Sequence, residues 1–179
     1  MRKVAVFGNA GGGKSTLARR LAAITGLPLV VVDMMRFRPG GAAVPHEEYV
    51  RAHTRLMSGD RWIIDGFESM TLAWERFAAA DTLVHVDLPL PTHFLGVTER
   101  LVKGLFVEAE GWPEGSPVLS SSINSYRVLW PCHSKLTPKY RAYVAEVAHQ
   151  KRVYRLRSRR DIREFLKSME REIGPGATP

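Results

Sequence analysis

The sequence predicts a three-layer α/β/α fold in which helices cover both faces of a five-stranded parallel sheet. Short apolar runs alternate with helical patterns along almost the whole chain, which is typical of repeated β–α units. The apolar runs are continuous and do not alternate in polarity, as expected for strands buried on both faces of a parallel sheet. The length of 179 residues predicts one domain, residues 1–179, with a sizeable core.

The order of the elements follows from these runs. The first strand is predicted at residues 3–7, a β-branched run that ends before Gly8. A helix is predicted at residues 14–26, because its apolar residues recur at helical spacing and a glycine ends it. The later strands are predicted at residues 28–33, 61–65, 82–88 and 151–156. The later helices are predicted at residues 46–59, 69–80, 92–106, 138–150 and 159–171.

One stretch interrupts the alternation of strands and helices. Residues 107–136 are rich in Pro, Gly and Ser, and loops of that length inside compact domains are usually functional or disordered. We predict a mobile, irregular insertion here, and we assign a lid to about residues 105–137.

Composition restricts the compartment and the partners. No apolar run is long enough for a membrane span, and a single cysteine, Cys132, fits a reducing compartment. We therefore expect a cytoplasmic protein with no membrane partner, either a monomer or a homodimer. The net charge of +8 favours anionic partners. Residues 151–171 contain nine Lys or Arg against three Asp or Glu, which indicates either a solvated helix face or a nucleic-acid contact.

The stretch GNAGGGKST, residues 8–16, satisfies the pattern G-x-x-x-x-G-K-[ST] between a strand and a helix. Glycines let consecutive backbone N–H groups surround a phosphate, and the helix N-terminus adds its positive dipole end. We expect Lys14 to contact the β- and γ-phosphates of ATP and Ser15 to contact Mg²⁺. The predicted nucleotide-binding residues are Gly8, Asn9, Ala10, Gly11, Gly12, Gly13, Lys14, Ser15 and Thr16.

Three aspartates follow predicted strands: Asp33, Asp65 and Asp87. The carboxyl ends of parallel strands meet at one crevice, where ligands bind. We assign Mg²⁺ to Ser15 and Asp65, with Asp87 as the rival ligand. Asp33 is the candidate for orienting or deprotonating an acceptor hydroxyl. For each aspartate taken alone, capping of the next helix is the alternative.

Four stretches resemble the adenylate-kinase-like branch of small phosphate-loop kinases: GNAGGGKST, DMMR at 33–36, IIDGF at 63–67, and the strand and helix at 83–104. A closer resemblance, over nearly the whole chain, is to a bacterial group labelled topology modulation protein or adenylate kinase-related. The segments that support it are VDMMRFRPGG, GDRWIIDG and RLRSRRDIREFL. Where adenylate kinases continue Pro-Arg-Thr after their D-G-F, this chain has Glu68-Ser69-Met70. The resemblance therefore implies the fold and nucleotide binding, and leaves the acceptor open.

The resemblance implies an ATP-dependent phosphotransferase that acts on a small-molecule acceptor. It places the acceptor near Asp33, Arg36, Arg38 and Gly66, and the adenine ring near Arg157. Arg100, Arg127 and Arg141 are candidate lid charges that close over the γ-phosphate. Two alternatives remain: a nucleic-acid-binding ATPase that uses the basic C-terminal region, and a nucleotide-binding regulator with little turnover.

Overall fold

The computed structural model describes residues 1–38, 42–67, 69–104 and 118–173. The strands are β1 (Lys3–Gly8), β2 (Leu29–Val31), β3 (Trp62–Asp65), β4 (Thr82–Val86) and β5 (Arg152–Leu156). The helices are α1 (Lys14–Thr25), α2 (His46–Ser58), α3 (Met70–Ala79), α4 (Leu90–Gly104), α5 (Val118–Pro131), α6 (Thr137–Val147) and α7 (Arg159–Ile173). A 3₁₀ turn (Met34–Arg36) follows β2, and a π-helical segment (Cys132–Leu136) joins α5 to α6.

The five strands form one sheet in the order β2-β3-β1-β4-β5, and all neighbouring pairs are parallel. The central strands β3 and β4 are buried along their whole length, which explains why their sequences are continuous apolar runs. The predicted three-layer fold with a five-stranded parallel sheet is therefore confirmed.

Each face of the sheet is covered by its own apolar core. On one face, α1 and α7 pack against the sheet through Leu17, Leu21, Phe165, Leu166 and Met169. On the other face, α2, α3 and α6 contribute Tyr49, Leu72, Phe77, Tyr140 and Val144. Burying one such large side chain contributes roughly 1.5–3 kcal/mol relative to leaving it exposed. The two cores hold the strands in place, so that the loops at their carboxyl ends share a rigid base.

The prediction of an irregular segment at residues 107–136 is wrong for its second half. Residues 118–131 form α5 and residues 132–136 the π-helical segment, while residues 105–117 lie outside the described residues. The serines of this half are only weakly unfavourable in a helix, and α5 packs along α4 and buries Leu129 completely. Among the described residues, no helix is long and apolar enough to cross a membrane.

The strand order determines which loops meet. Because β3 lies between β2 and β1, the last residue of β3, Asp65, is adjacent to the glycine-rich loop that follows β1. Strand β2 ends next to Asp65, with Val31 in register with it, so the turn containing Asp33 lies at the same sheet edge. On the other side of β1, β4 leads to Asp87 and then to α4.

Candidate functional site

The glycine-rich loop joins β1 to α1 and has the backbone shape that the sequence predicts. Gly8 and Gly13 have φ angles of 141° and 77°, which residues that carry a side chain rarely adopt. A Cβ atom at Gly8 would also overlap the carbonyl oxygen of Val86 in β4. Gly13 is the N-cap of α1, so the unpaired N–H groups of the first turn face the loop. This arrangement is able to hold an anion at the start of α1.

Lys14 and Asn9 hold the loop in its curved form. The ammonium group of Lys14 donates to the carbonyl oxygen of Asn9 at 2.8 Å. The side-chain oxygen of Asn9 accepts from the Ala10 N–H at 2.8 Å, and its amide nitrogen donates to the carbonyl oxygen of Leu129 in α5 at 2.9 Å. The loop is thus closed on itself and attached to α5.

Ser15 and Asp65 form the candidate metal site. The Ser15 hydroxyl donates to Oδ2 of Asp65 at 2.6 Å, because β3 runs parallel beside β1 and ends at the loop. The Asp65 side chain is fully buried, and its Oδ1 atom has no hydrogen-bond partner among the described residues. A hydroxyl beside a buried carboxylate with an unused oxygen fits the hard oxygen ligands that Mg²⁺ prefers.

Asp33 lies beside this pair, in the turn after β2. Its Oδ1 atom accepts from the N–H of Phe67 at 3.3 Å. Burial raises the pKa of Asp33 above the ordinary range for aspartate, and the nearby Asp65 raises it further, while Lys14 acts in the opposite direction. A carboxylate with a raised pKa at the edge of a cleft is a suitable general base.

Asp87, the rival metal ligand, already has two cationic partners. Arg141 of α6 and Arg155 of β5 donate to its carboxylate at 2.9 Å and 2.7 Å. Burial opposes ionisation of Asp87, but the hydrogen bonds from these arginines outweigh it and lower its pKa. The carboxylate therefore joins β4, α6 and β5, and the structure places Arg141 in this ion pair.

The loop, Asp33 and Asp65 open onto one cleft of about 1840 Å³. Helices α1, α4, α5 and α7 and the π-helical segment also line it. Eleven of its described lining residues are basic: Lys14, Arg19, Arg20, Arg36, Arg76, Arg100, Lys103, Arg127, Lys135, Arg159 and Arg163. Three are acidic: Asp33, Asp65 and Glu99. Basic residues therefore outnumber acidic ones in the described part of the lining.

Some of the other predicted site residues line this cleft, and others do not. Arg36, Gly66, Arg100 and Arg127 line it. Arg38 does not; its guanidinium pairs with Glu48 at 2.6 Å at the surface. Arg157 is also outside the described lining, and its backbone N–H donates to Oδ2 of Asp161 in the first turn of α7 at 2.8 Å. Two residues after Arg157, Arg159 does line the cleft, where it pairs with Glu99 at 3.0 Å.

Arg76 of α3 is a site residue that the sequence analysis missed. It is buried, lines the cleft, and donates to the carbonyl oxygen of Gly66 at 2.7 Å. Burial lowers its pKa, whereas the charges of Asp65 and Asp33 raise it. Arg76 therefore supports the turn after β3 and supplies positive charge beneath the two aspartates. The signal was available, because Arg76 follows the apolar residues Leu72 and Ala73 at helical spacings of four and three.

Helix α4 packs behind the glycine-rich loop, the predicted phosphate loop, and supports it through His93 and Gly96. The Nδ1 atom of His93 lies 2.8 Å from the carbonyl oxygen of Ala10. A carbonyl oxygen only accepts, so Nδ1 holds the proton of the neutral ring. Burial lowers the pKa of His93 to about 4, although the bond to Ala10 opposes this shift. One turn away, Gly96 lets the helix backbone approach the carbonyl oxygen of Gly11. In the sequence, only a glycine inside a predicted helix indicated this close approach of α4 to the loop.

Comparisons with known proteins bear on the fold. No protein-family model matches the chain, and no curated protein sequence matches it significantly. Shikimate kinase from Acinetobacter baumannii, solved in complex with shikimate, is similar with a TM-score of 0.54 and 20% identity, over 97% of this chain and 93% of that chain. A sugar kinase from Janibacter sp. HTCC2649, solved without ligand, has a TM-score of 0.48 and 16% identity, over 98% of this chain and 99% of that chain. The likeness to shikimate kinase shows that this chain shares its fold.

Proposed function

We propose that the protein is an ATP-dependent phosphotransferase that transfers the γ-phosphate to a hydroxyl group of a small acceptor. The observation that supports this most strongly is the contact between Ser15 and the buried Asp65, whose second oxygen has no partner among the described residues. It lies at the mouth of a phosphate-binding loop and beside a second carboxylate, Asp33. These are the parts that phosphoryl transfer requires: a metal site, a cation at the moving group, and a base for the nucleophile.

The donor side is formed by the loop and the first turn of α1. Backbone N–H groups of the loop and of the α1 N-terminus would hold the phosphates. Lys14, bound to the carbonyl oxygen of Asn9, is positioned to exchange this neutral partner for phosphate oxygens and to stabilise the charge that develops on them. Ser15 and Asp65 would hold Mg²⁺, which supplies positive charge to the phosphate oxygens when it is bound.

On the acceptor side, Asp33 would take the proton of the attacking hydroxyl. The acceptor oxygen forms a bond to the γ-phosphorus, the bond from that phosphorus to the β,γ-bridging oxygen breaks, and ADP leaves with the electron pair. The raised pKa of Asp33 makes its carboxylate a better proton acceptor than an exposed aspartate. Arg36 and Arg100 line the same cleft, and their charges would help to position the acceptor.

Two likenesses support this proposal. The structural neighbour from A. baumannii is a kinase bound to shikimate, and the motifs DMMR and IIDGF resemble those of adenylate-kinase-like enzymes. From the first we take only the reaction class. From the second we take ATP as donor and Mg²⁺ as cofactor, and we propose membership of the topology modulation protein group as the finer assignment.

Replacing Asp33 by asparagine separates binding from transfer. The asparagine keeps an oxygen that accepts from the N–H of Phe67, so the turn after β3 should keep its shape. We expect the affinity for Mg²⁺-ATP to stay within about threefold, and phosphate transfer to fall by roughly 10²- to 10⁴-fold, the usual contribution of a general base. Binding is measured by calorimetry and transfer with γ-labelled ATP.

Asp60→Asn is the control, because Asp60 lies in an exposed turn before β3 and outside the described lining of the cleft. It should change neither quantity. Unchanged transfer in Asp33→Asn would remove the role of Asp33 as the base.

A further inference from the structure

We infer that Asn9 is a positioning residue that holds α5 in register with the glycine-rich loop, so that Arg127 faces the terminal phosphate of the nucleotide. This inference rests on the proposed function, because it assumes that the loop holds ATP. Asn9 would act through α5 and not by touching the phosphate itself. The bonds of its side chain and the face that α5 presents to the cleft support this role.

The side chain of Asn9 connects two segments that are far apart in the sequence. Asn9 directly follows β1 and is buried. Its Oδ1 atom accepts from the Ala10 N–H at 2.8 Å, and its Nδ2 atom donates to the carbonyl oxygen of Leu129 at 2.9 Å. A backbone N–H only donates and a carbonyl oxygen only accepts, so these two partners require an amide in this orientation. An aspartate could not make the second bond, and an alanine could make neither.

Helix α5 and the π-helical segment present one face to the cleft. Arg127, Pro131 and Lys135 follow one another at spacings of four residues, and all three line the cleft. Burial raises the pKa of the neighbouring Cys132 thiol, and the charge of Lys14 opposes this shift, so the thiol lies close to the Lys14 ammonium group. At a rise of about 1.5 Å per residue, Arg127 is only about 7.5 Å from Cys132 along the helix axis. The face that carries Arg127 is therefore the face that meets the phosphate-binding end of the cleft.

The place of Arg127 depends on where α5 lies. Arg127 is exposed, so packing around its own side chain does not fix it. The hydroxyl of Tyr126 lies 2.7 Å from that of Thr98 in α4, which attaches α5 at the surface. The bond from Asn9 to Leu129 is buried, and breaking a buried bond leaves a polar group without water to replace its partner.

Loss of the Asn9 amide should therefore loosen α5 relative to the loop, even though the surface attachment to α4 remains. A group that acts on a reacting phosphate has to be held within roughly 0.5 Å of its productive position. A small shift of α5 is thus enough to remove Arg127 from the terminal phosphate while the loop still holds the rest of the nucleotide.

The test compares the affinities of a non-hydrolysable ATP analogue and of ADP, each with Mg²⁺, by calorimetry. The ratio of the two affinities reports the contribution of the terminal phosphate, because the two ligands share the rest of their structure. If Asn9 only shapes the loop, Asn9→Ala weakens both nucleotides alike and leaves the ratio unchanged. If Asn9 acts through α5, Asn9→Ala lowers the ratio.

We expect Arg127→Gln to lower the ratio roughly tenfold, since it removes a charged partner of the terminal phosphate. Asn9→Ala should lower it by at least about threefold, and the double variant should stay within about twofold of Arg127→Gln, because both residues act through one contact. Arg163→Gln is the matched control. Arg163 is also an exposed cation that lines the cleft, but it lies on α7, so any loss that it causes should multiply with that of Asn9→Ala.

Asn9→Ser provides a second variant if Asn9→Ala does not fold, because its shorter side chain stays polar but does not reach Leu129. The inference is overturned if the Asn9 variants or Arg127→Gln leave the ratio unchanged, or if the losses of Asn9→Ala and Arg127→Gln multiply in the double variant. The proposed function fails separately, if the wild type binds both nucleotides but transfers label no faster than Lys14→Ala. The affinities then still decide the role of Asn9. A wild type that binds neither nucleotide contradicts both.

Discussion

Replacing Gly96 by alanine is expected to destabilise the protein and to weaken the binding of Mg²⁺-ATP. On helix propensity alone the change should stabilise α4 by about 1 kcal/mol. The structure reverses this expectation, because the new Cβ atom would overlap the carbonyl oxygen of Gly11 and approach its Cα atom within 3.3 Å. Neither group belongs to a flexible side chain, so α4 or the phosphate loop must move.

The expected cost is about 1–3 kcal/mol, as for other overpacked sites. Because the displaced group is the phosphate loop itself, an equal loss of binding energy corresponds to roughly ten- to hundredfold weaker binding of Mg²⁺-ATP. Urea denaturation measures the stability and calorimetry the affinity. Gly59→Ala is the matched control, because Gly59 has an ordinary φ of −61° at the end of α2, and it should leave the affinity unchanged. A Gly96→Ala variant that is more stable than the wild type and binds ATP normally would show that α4 does not support the loop.

A large loss of stability in mild acid is the second expected result. Burial is the main reason that the pKa values of His53, His85 and His93 are each lowered to about 4. In the unfolded chain each histidine has a pKa near 6.5, so between about pH 6.5 and 4 the unfolded state binds more protons. Each neutral histidine therefore makes its full contribution to the free energy of unfolding above about pH 6.5. This contribution, roughly 2–3 kcal/mol for each histidine, is lost as the pH falls.

His85 offers the sharpest test of this pH dependence. Its ring stacks on Phe7 at a centroid distance of 5.0 Å, and neither ring nitrogen has a hydrogen-bond partner among the described residues. The nearby Asp87 favours the charged form, and Arg155 and Arg141 oppose it. We expect His85→Phe to be more stable than the wild type near pH 5 by about 2 kcal/mol, and to differ little near pH 7.5. The exposed His149→Gln should follow the wild type at both pH values. Urea denaturation gives the free energy of unfolding at each pH. If this free energy depends on pH in the same way for His85→Phe and wild type, the His85 ring is not a buried neutral group.

The donor side of the site could be predicted from the sequence because its elements are local. The phosphate loop, Lys14 and Ser15 are consecutive, and the apolar strand that ends at Asp65 is recognisable without knowing its neighbours. The order of the strands is not encoded in any single segment, so the sequence alone left Asp87 as a rival to Asp65. In the structure β3 and β4 lie on opposite sides of β1. Ser15 contacts Asp65, whereas Asp87 pairs with Arg141 and Arg155.

Residues that act through contacts distant in sequence could not be predicted in the same way. His93 meets Ala10 across 83 positions, and Asn9 meets Leu129 across 120. The weak helix propensity of the serines in the first turns of α5 masked a helix whose stability comes from packing against α4. The basic cleft was also hidden, because its cations come from several separate elements. Only the cations near the C-terminus, in residues 151–171, formed a charged stretch in the sequence.

Transfer of label from γ-labelled ATP tests the central proposal most directly. Wild-type protein and Lys14→Ala are incubated with Mg²⁺ and a set of nucleosides, nucleotides, sugars and their phosphorylated forms, with water as the reference acceptor. We expect the wild type to move label to at least one acceptor or to water, and Lys14→Ala to do so at least about a hundredfold more slowly, since it lacks the cation at the transferred group. Equal rates for the two proteins on every acceptor and on water would contradict the assignment of a phosphotransferase.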